Sequence, residues 1–94
     1  MTEETLHLIV RGRVQGVGFR WFVADEARRL ALRGWVRNNS DGSVEIRARG
    51  PNAALQSLES HVRRGPPGSR VSDVERAEGN DEGSLDSPFA IVRG

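Results

Sequence analysis

The chain reads as an α+β sandwich, two helices laid on one face of an antiparallel sheet, and three features lead there. In several short runs apolar residues alternate with polar ones, as in half-buried strands; in two longer runs they recur every three or four residues, as in amphipathic helices. The order of these runs is strand, helix, strand, strand, helix, strand, followed by a short closing strand. Turn chemistry separates them, with Asp41-Gly42 in the middle of the chain and Gly65-Pro66-Pro67-Gly68 further on. That order is the split βαβ, ferredoxin-like arrangement.

Leu6 to Val14 is the first strand, with Leu8, Val10, Gly12 and Val14 on one side and His7, Ile9, Arg11 and Arg13 on the other. The first helix runs from Phe19 to Leu32. Phe19, Val23, Ala27, Leu30 and Ala31 share a face there, Arg28, Arg29 and Arg33 stay wet, and Asp25 supports Arg29 four residues on. Gly34 is expected to end it. Trp35 to Asn39 and Ser43 to Arg49 form a hairpin around Ser40-Asp41-Gly42. On its second strand Val44, Ile46 and Ala48 alternate with Glu45, Arg47 and Arg49. Pro51 suits the first turn of the second helix, whose buried stripe is Leu55, Leu58 and Val62. Arg70 to Ala77 is the fourth strand, and Phe89 to Arg93 the closing one. Between them, Gly79 to Ser87 is acidic and glycine-containing, and is expected to be a mobile surface loop. Its carboxylates and Glu78 imitate a cation site, but a solvated loop is the simpler reading. There is no internal repeat and no linker, so residues 1–94 are expected to form one domain.

This topology has a consequence for function. A right-handed crossover makes the first two strands parallel, with one strand between them, so their C-terminal ends meet the same edge of the sheet. Val36 and Asn38 share a face, and Asn38 can reach towards the segment that follows the first strand.

That segment is Gly12-Arg13-Val14-Gln15-Gly16-Val17-Gly18-Phe19-Arg20. A strand that ends in a glycine-bearing turn and opens a helix leaves backbone N–H groups pointing into one small space, an anion site. Arg20 adds a planar cation able to hold a phosphate through two N–H groups. The dinucleotide fingerprint fails, because its third glycine is replaced by Trp21. The P-loop of nucleotide hydrolases fails as well, because the chain has no lysine. From the pattern alone, a tight turn that needs glycine only for its backbone stands equally open. Asn38 alone reads most simply as a strand-end residue capping a turn, and Asn39 keeps that reading.

The first segment, together with Gly34-Trp35-Val36-x-Asn38, resembles the two-part signature of the acylphosphatases. These small enzymes hydrolyse the carboxyl–phosphate anhydride of acyl phosphates. The resemblance covers essentially the whole chain, including Gly65-Pro66-Pro67 and the Phe89-x-Ile91 ending. It implies that Arg20 binds the phosphate and that Asn38 positions the attacking water. The leaving group is a carboxylate, which departs without protonation, so positioning and charge stabilisation suffice. The phosphate oxygens would be held by backbone amides of Gln15, Gly16, Val17, Gly18, Phe19 and Arg20, and by the Arg20 guanidinium. An amide cannot take a proton at neutral pH; the water's proton is expected to pass to the substrate's own phosphate oxygen. No metal or other cofactor is expected. The partners are a small acyl phosphate and, as product and inhibitor, inorganic phosphate.

Composition narrows the alternatives. Fourteen arginines against thirteen acidic residues leave a net charge of +1, which gives no global field for nucleic acid or membrane. The absence of cysteine excludes disulfides and thiolate chemistry. The acidic N-terminus and the five-residue apolar run after it do not make a secretory signal, so a cytoplasmic protein is expected, and a monomer is the simplest reading. His7 and His61 stand without partners at metal-ligand spacing, and Trp21 and Trp35 are expected to pack. An RNA-binding module would need aromatic residues on the first and third strands, which carry His7, Ile9, Glu45, Arg47 and Arg49 instead. A domain that only binds an anion would keep the glycine loop but has no need for Asn38.

Overall fold

In the computed structural model, which describes residues 3–77 and 88–92, the alternating runs form one five-stranded sheet. Its strands are β1 (Glu3–Arg13), β2 (Arg33–Asn38), β3 (Val44–Pro51), β4 (Arg70–Arg76) and β5 (Ala90–Ile91); the helices are α1 (Phe19–Arg29) and α2 (Asn52–Arg64). The order across the sheet is β4-β1-β3-β2-β5. β3 lies antiparallel between β1 and β2, so those two are parallel to each other, as the crossover rule requires. The expected antiparallel sheet holds for the first four strands. β5 departs from it, running parallel to β2 with Trp35 opposite Ala90 and Val36 opposite Ile91.

Leu6, Leu8 and Val10 of β1, Val36 of β2, and Val44, Ile46 and Ala48 of β3 are buried in one cluster with Phe19, Val23 and Ala27 of α1. Leu55, Leu58 and Val62 of α2 complete it, along the stripe that their spacing marks out. Phe19 is only 1% exposed, which anchors the start of α1 directly beneath the segment that leaves β1. The acidic stretch from Gly79 to Ser87 lies outside the described residues.

Three local expectations change. α1 ends at Arg29, not Leu32, and Gly34 does not end it. Ala31 takes the left-handed conformation (φ 57°), with its N–H on the Arg28 carbonyl and the Leu32 N–H on the Ala27 carbonyl. This is a Schellman ending with alanine where glycine is usual. Gly34 belongs to β2, where a Cβ would stand 1.9 Å from the Arg47 carbonyl oxygen; its role is close approach of two strands. Pro51 closes β3 and caps α2 instead of entering its first turn. Arg29, finally, turns from Asp25 to Glu26, whose carboxylate accepts from its Nε at 3.0 Å.

Candidate active site

Between β1 and α1 the chain alternates between anchoring and opening. Val14 and Phe19 are buried and Val17 packs against the core, while Gly16 and Gly18 have left-handed φ angles of 75° and 77°. Among the described residues, a Cβ at either glycine would meet nothing within 4 Å, so the loop presents bare backbone there. Gly18 is also the N-cap of α1. It brings no capping side chain, and no acidic residue stands in the first turn. The first amides of the helix are therefore left without a side-chain acceptor, at the end where the helix field favours an anion. Arg20 is half-buried in that first turn, and among the described residues its guanidinium has no hydrogen-bond or ion-pair partner.

The sheet brings Asn38 to this loop. Val10 of β1 is opposite Val44 of β3, and Val44 is opposite Asn38 of β2, so Asn38 lies level with the end of the β1–β3 ladder. Its carboxamide oxygen is buried and, among the described residues, has no hydrogen-bond partner. A buried acceptor left unpaired costs roughly 1–3 kcal/mol, which makes this atom a place where a donor is wanted. Asn39 keeps the turn role expected for it. Its N–H donates to the Ser43 carbonyl at 2.9 Å, its carbonyl accepts from the Gly42 N–H, and its Nδ2 donates to Ser43 Oγ at 3.0 Å. Asp41 Oδ1 accepts from the Ser43 N–H and Oγ, and these two bonds hold the Asp41 carboxyl below the usual carboxylate range.

Gln15 does something its place in the motif does not announce. Its side chain leaves the loop and donates both amide hydrogens to the hairpin, to the Asn39 carbonyl at 2.8 Å and the Ser43 carbonyl at 2.9 Å. Only its backbone N–H remains for an anion. The sequence signal was a polar, two-donor side chain within the apolar and glycine run from Val14 to Phe19; its target could not be read from the chain.

The remaining candidates fall away from this corner. Trp21 does not pack as expected and is 63% exposed on α1. Trp35 does pack, on the helix-free face of the sheet, with the Arg37 guanidinium 4.9 Å over its ring. His7 Nε2 lies 2.6 Å from Glu45 Oε2, and His61 stacks on Phe22 at 4.2 Å; neither belongs to the loop. On the helix-free face Arg37 is held by Glu45, Arg11 by Glu75 and Arg49 by Glu3, which occupies cations that a nucleic acid would need. Among the described residues no group of three or more His, Cys, Asp or Glu side chains is placed to hold a metal ion.

Comparison with known proteins gives the family. A family model described as Acylphosphatase matches residues 6–91. An acylphosphatase from Koribacter versatilis is 50% identical over 92% of this chain and 78% of its own length. One from Rhizobium meliloti is 46% identical over the full length of both. The crystal structure of acylphosphatase from Bacillus subtilis superposes with a TM-score of 0.85 at 47% identity, over 97% of this chain and 99% of that one. A glycine loop opening onto a helix, an unpartnered arginine in its first turn and an asparagine brought level by the sheet thus occur in a chain that belongs to the acylphosphatase family.

Proposed function

We propose that this acylphosphatase hydrolyses the carboxyl–phosphate bond of small acyl phosphates without a metal, with Arg20 and the loop amides holding the phosphoryl group and Asn38 placing the water. The observation that carries the reading is the unpaired, buried carboxamide oxygen of Asn38, at the strand end that Gln15 ties to the loop. The phosphoryl group sits with its equatorial oxygens on the amides of Gln15 to Arg20, in the open space beside Gly16 and Gly18. The Arg20 guanidinium takes two of those oxygens and balances their charge as the transition state forms. A water donates one hydrogen bond to Asn38 Oδ1 and attacks phosphorus in line with the departing oxygen. The new P–O bond forms from the water's lone pair, and the P–O bond to the acyl group breaks with its electrons going to the carboxylate. The water's proton passes to a phosphate oxygen, since an amide is no base. The products are a carboxylate and inorganic phosphate, and the phosphate competes for the same loop.

The same reading makes the protein a single cytoplasmic domain that works as a monomer and has no nucleic-acid or membrane partner. The balanced charge of +1 is in keeping with that. Among the described residues no helix is long and apolar enough to cross a membrane.

Hydrolysis of benzoyl phosphate by the purified protein in EDTA, with inorganic phosphate as competitor, tests the proposal. Turnover that survives EDTA and is slowed by phosphate is the expected outcome. Arg20→Gln and Asn38→Ala should each lose about 10²–10³ in rate, with Arg20→Gln also weakening phosphate inhibition. Near-normal turnover in Asn38→Ala would remove its role. Phosphate binding without any turnover would leave a domain that only binds anions.

A further inference from the structure

We infer that Gln15 is a positioning residue, whose side chain sets the distance between the phosphate loop and Asn38. The inference rests on the reading of Asn38 given above. It begins with a gap in the backbone ladder. β1 and β3 are paired only as far as Val10 and Val44, five residues before Gln15. From Arg11 onward β1 is paired only with β4, on the far side from β2, and its register shifts at Arg11/Gly12. The sheet ladder therefore ties Asn38 to Val10, and leaves the loop beyond Val14 without a backbone bond to the strand that carries Asn38.

Gln15 closes that gap across 24 residues of sequence. Its two N–H groups leave one planar nitrogen in divergent directions, and both find carbonyl acceptors, at 2.8 and 2.9 Å. Two bonds from one amide fix orientation as well as distance. The acceptors are themselves fixed. Asn39 and Ser43 are bonded to each other through backbone and side chain, and Ser43 is 2% exposed with both its N–H and Oγ on Asp41. Asn39 directly follows Asn38. Because the Asn38 oxygen has no partner of its own, its position depends on the backbone that Gln15 braces.

The side chain thus acts on the water rather than on the phosphate. Phosphate binding needs the loop amides and Arg20, and among the described residues no backbone hydrogen bond joins these to the hairpin. In-line attack needs the water within a fraction of an ångström of its line, and misplacement by about 1 Å costs roughly 10²-fold.

Gln15→Met keeps the length of the side chain and removes both donors. It should lower kcat for benzoyl phosphate by about 30- to 100-fold, while the inhibition constant of inorganic phosphate moves by less than about 3-fold. In an Asn38→Ala background the same change should cost less than about 3-fold, because the group it positions is already gone. Equal losses in kcat and phosphate affinity, or the full loss repeated in the Asn38→Ala background, would overturn the inference. Gln15→Glu gives a second test if the methionine variant does not fold. Ionised, it presents a carboxylate to two carbonyl oxygens; protonated, it regains one donor. Its kcat relative to the unsubstituted protein should therefore rise as pH is lowered from 7 to 5, and a flat ratio would count against positioning. Near-normal kcat in Gln15→Met beside a crippled Asn38→Ala overturns the Gln15 inference alone. Near-normal turnover in Asn38→Ala removes both.

Discussion

Arg20 and Arg47 are both arginines without an acidic partner among the described residues, yet they stand in opposite environments. Arg20 is half-buried beside bare loop backbone, in a first helical turn that holds no acidic residue. Arg47 points to the helix-free face of β3, where alternation places it, but it is 5% exposed. In register it is flanked by His7 on β1 and Trp35 on β2, so cross-strand neighbours stand on both sides of it. Facing away from the helices is thus not the same as facing water. The two arginines also separate in what a change should do. Arg20→Lys keeps the charge but loses the planar fork, so kcat/KM for benzoyl phosphate should fall by about 10-fold or more. Its phosphate inhibition should weaken less than that of Arg20→Gln, since a point charge still attracts the anion. Steady-state kinetics on the two variants decides this, and equal kinetics of Arg20→Lys and the unsubstituted protein would deny the two-pronged contact.

The end of α1 shows why element boundaries are harder to read than elements. Helical spacing carries on through Leu30 and Ala31, and the next glycine is Gly34, so the natural reading extends the helix to it. What stops the helix earlier is the need to turn Leu32 into the core, where it is 2% exposed. The Schellman turn does this at Ala31, an exposed residue forced to a positive φ that costs an L-residue about 1–2 kcal/mol. Ala31→Gly should therefore stabilise the protein by roughly 0.5–1 kcal/mol net of the extra chain entropy of glycine, read as a rise of a few degrees in Tm. A lower Tm would mean that the alanine methyl contributes packing that the backbone strain does not outweigh. Gly34, freed from that duty, is needed where β2 and β3 approach too closely for any side chain.

Across the molecule the helices, the strands and the open face are joined by a few carboxylates. Glu59 on α2 accepts from Arg63 on its own helix and from Arg76 on β4, so one carboxylate pins α2 to the edge of the sheet. Burial works against its charge, but the two arginines outweigh burial and hold its pKa below the usual range. Glu45 is alike, with burial opposed by His7 and Arg37. At Glu26 the hydrogen bond from Arg29 dominates, and at Asp41 those from Ser43. All four shifts are downward, so the folded chain binds fewer protons than the unfolded one in the acid range. Their contribution to stability is complete above the unfolded carboxylate values, near pH 4–4.5, and is lost as pH falls through the lower folded ones. Urea midpoints should be level from about pH 5.5 to 8 with respect to these groups and fall below about pH 4, more gently in Glu59→Gln. A midpoint that rises on acidification would contradict the direction of these shifts.

The elements, their order, the buried stripe of α2 and the Phe19, Val23, Ala27 part of that of α1, and the residues of the glycine loop were legible in the chain, because periodicity and turn chemistry are local properties; Ala31, expected on the buried face, is exposed beyond the end of α1. Topology followed from the order alone, since a right-handed crossover with one strand between leaves little choice, and it placed Asn38 beside the loop in advance. The targets of long polar side chains were not legible. Gln15 on the hairpin carbonyls, Arg29 on Glu26 in place of Asp25, Trp35 beneath Arg37 and the exposed Trp21 each depend on which groups lie within a few ångströms once the sheet has formed. Nor could the parallel pairing of β5 be read, as a short strand can join either edge. Backbone pattern is encoded within a window of a few residues. The partner of a flexible side chain is set by register between segments far apart in sequence, and so it emerges only in three dimensions.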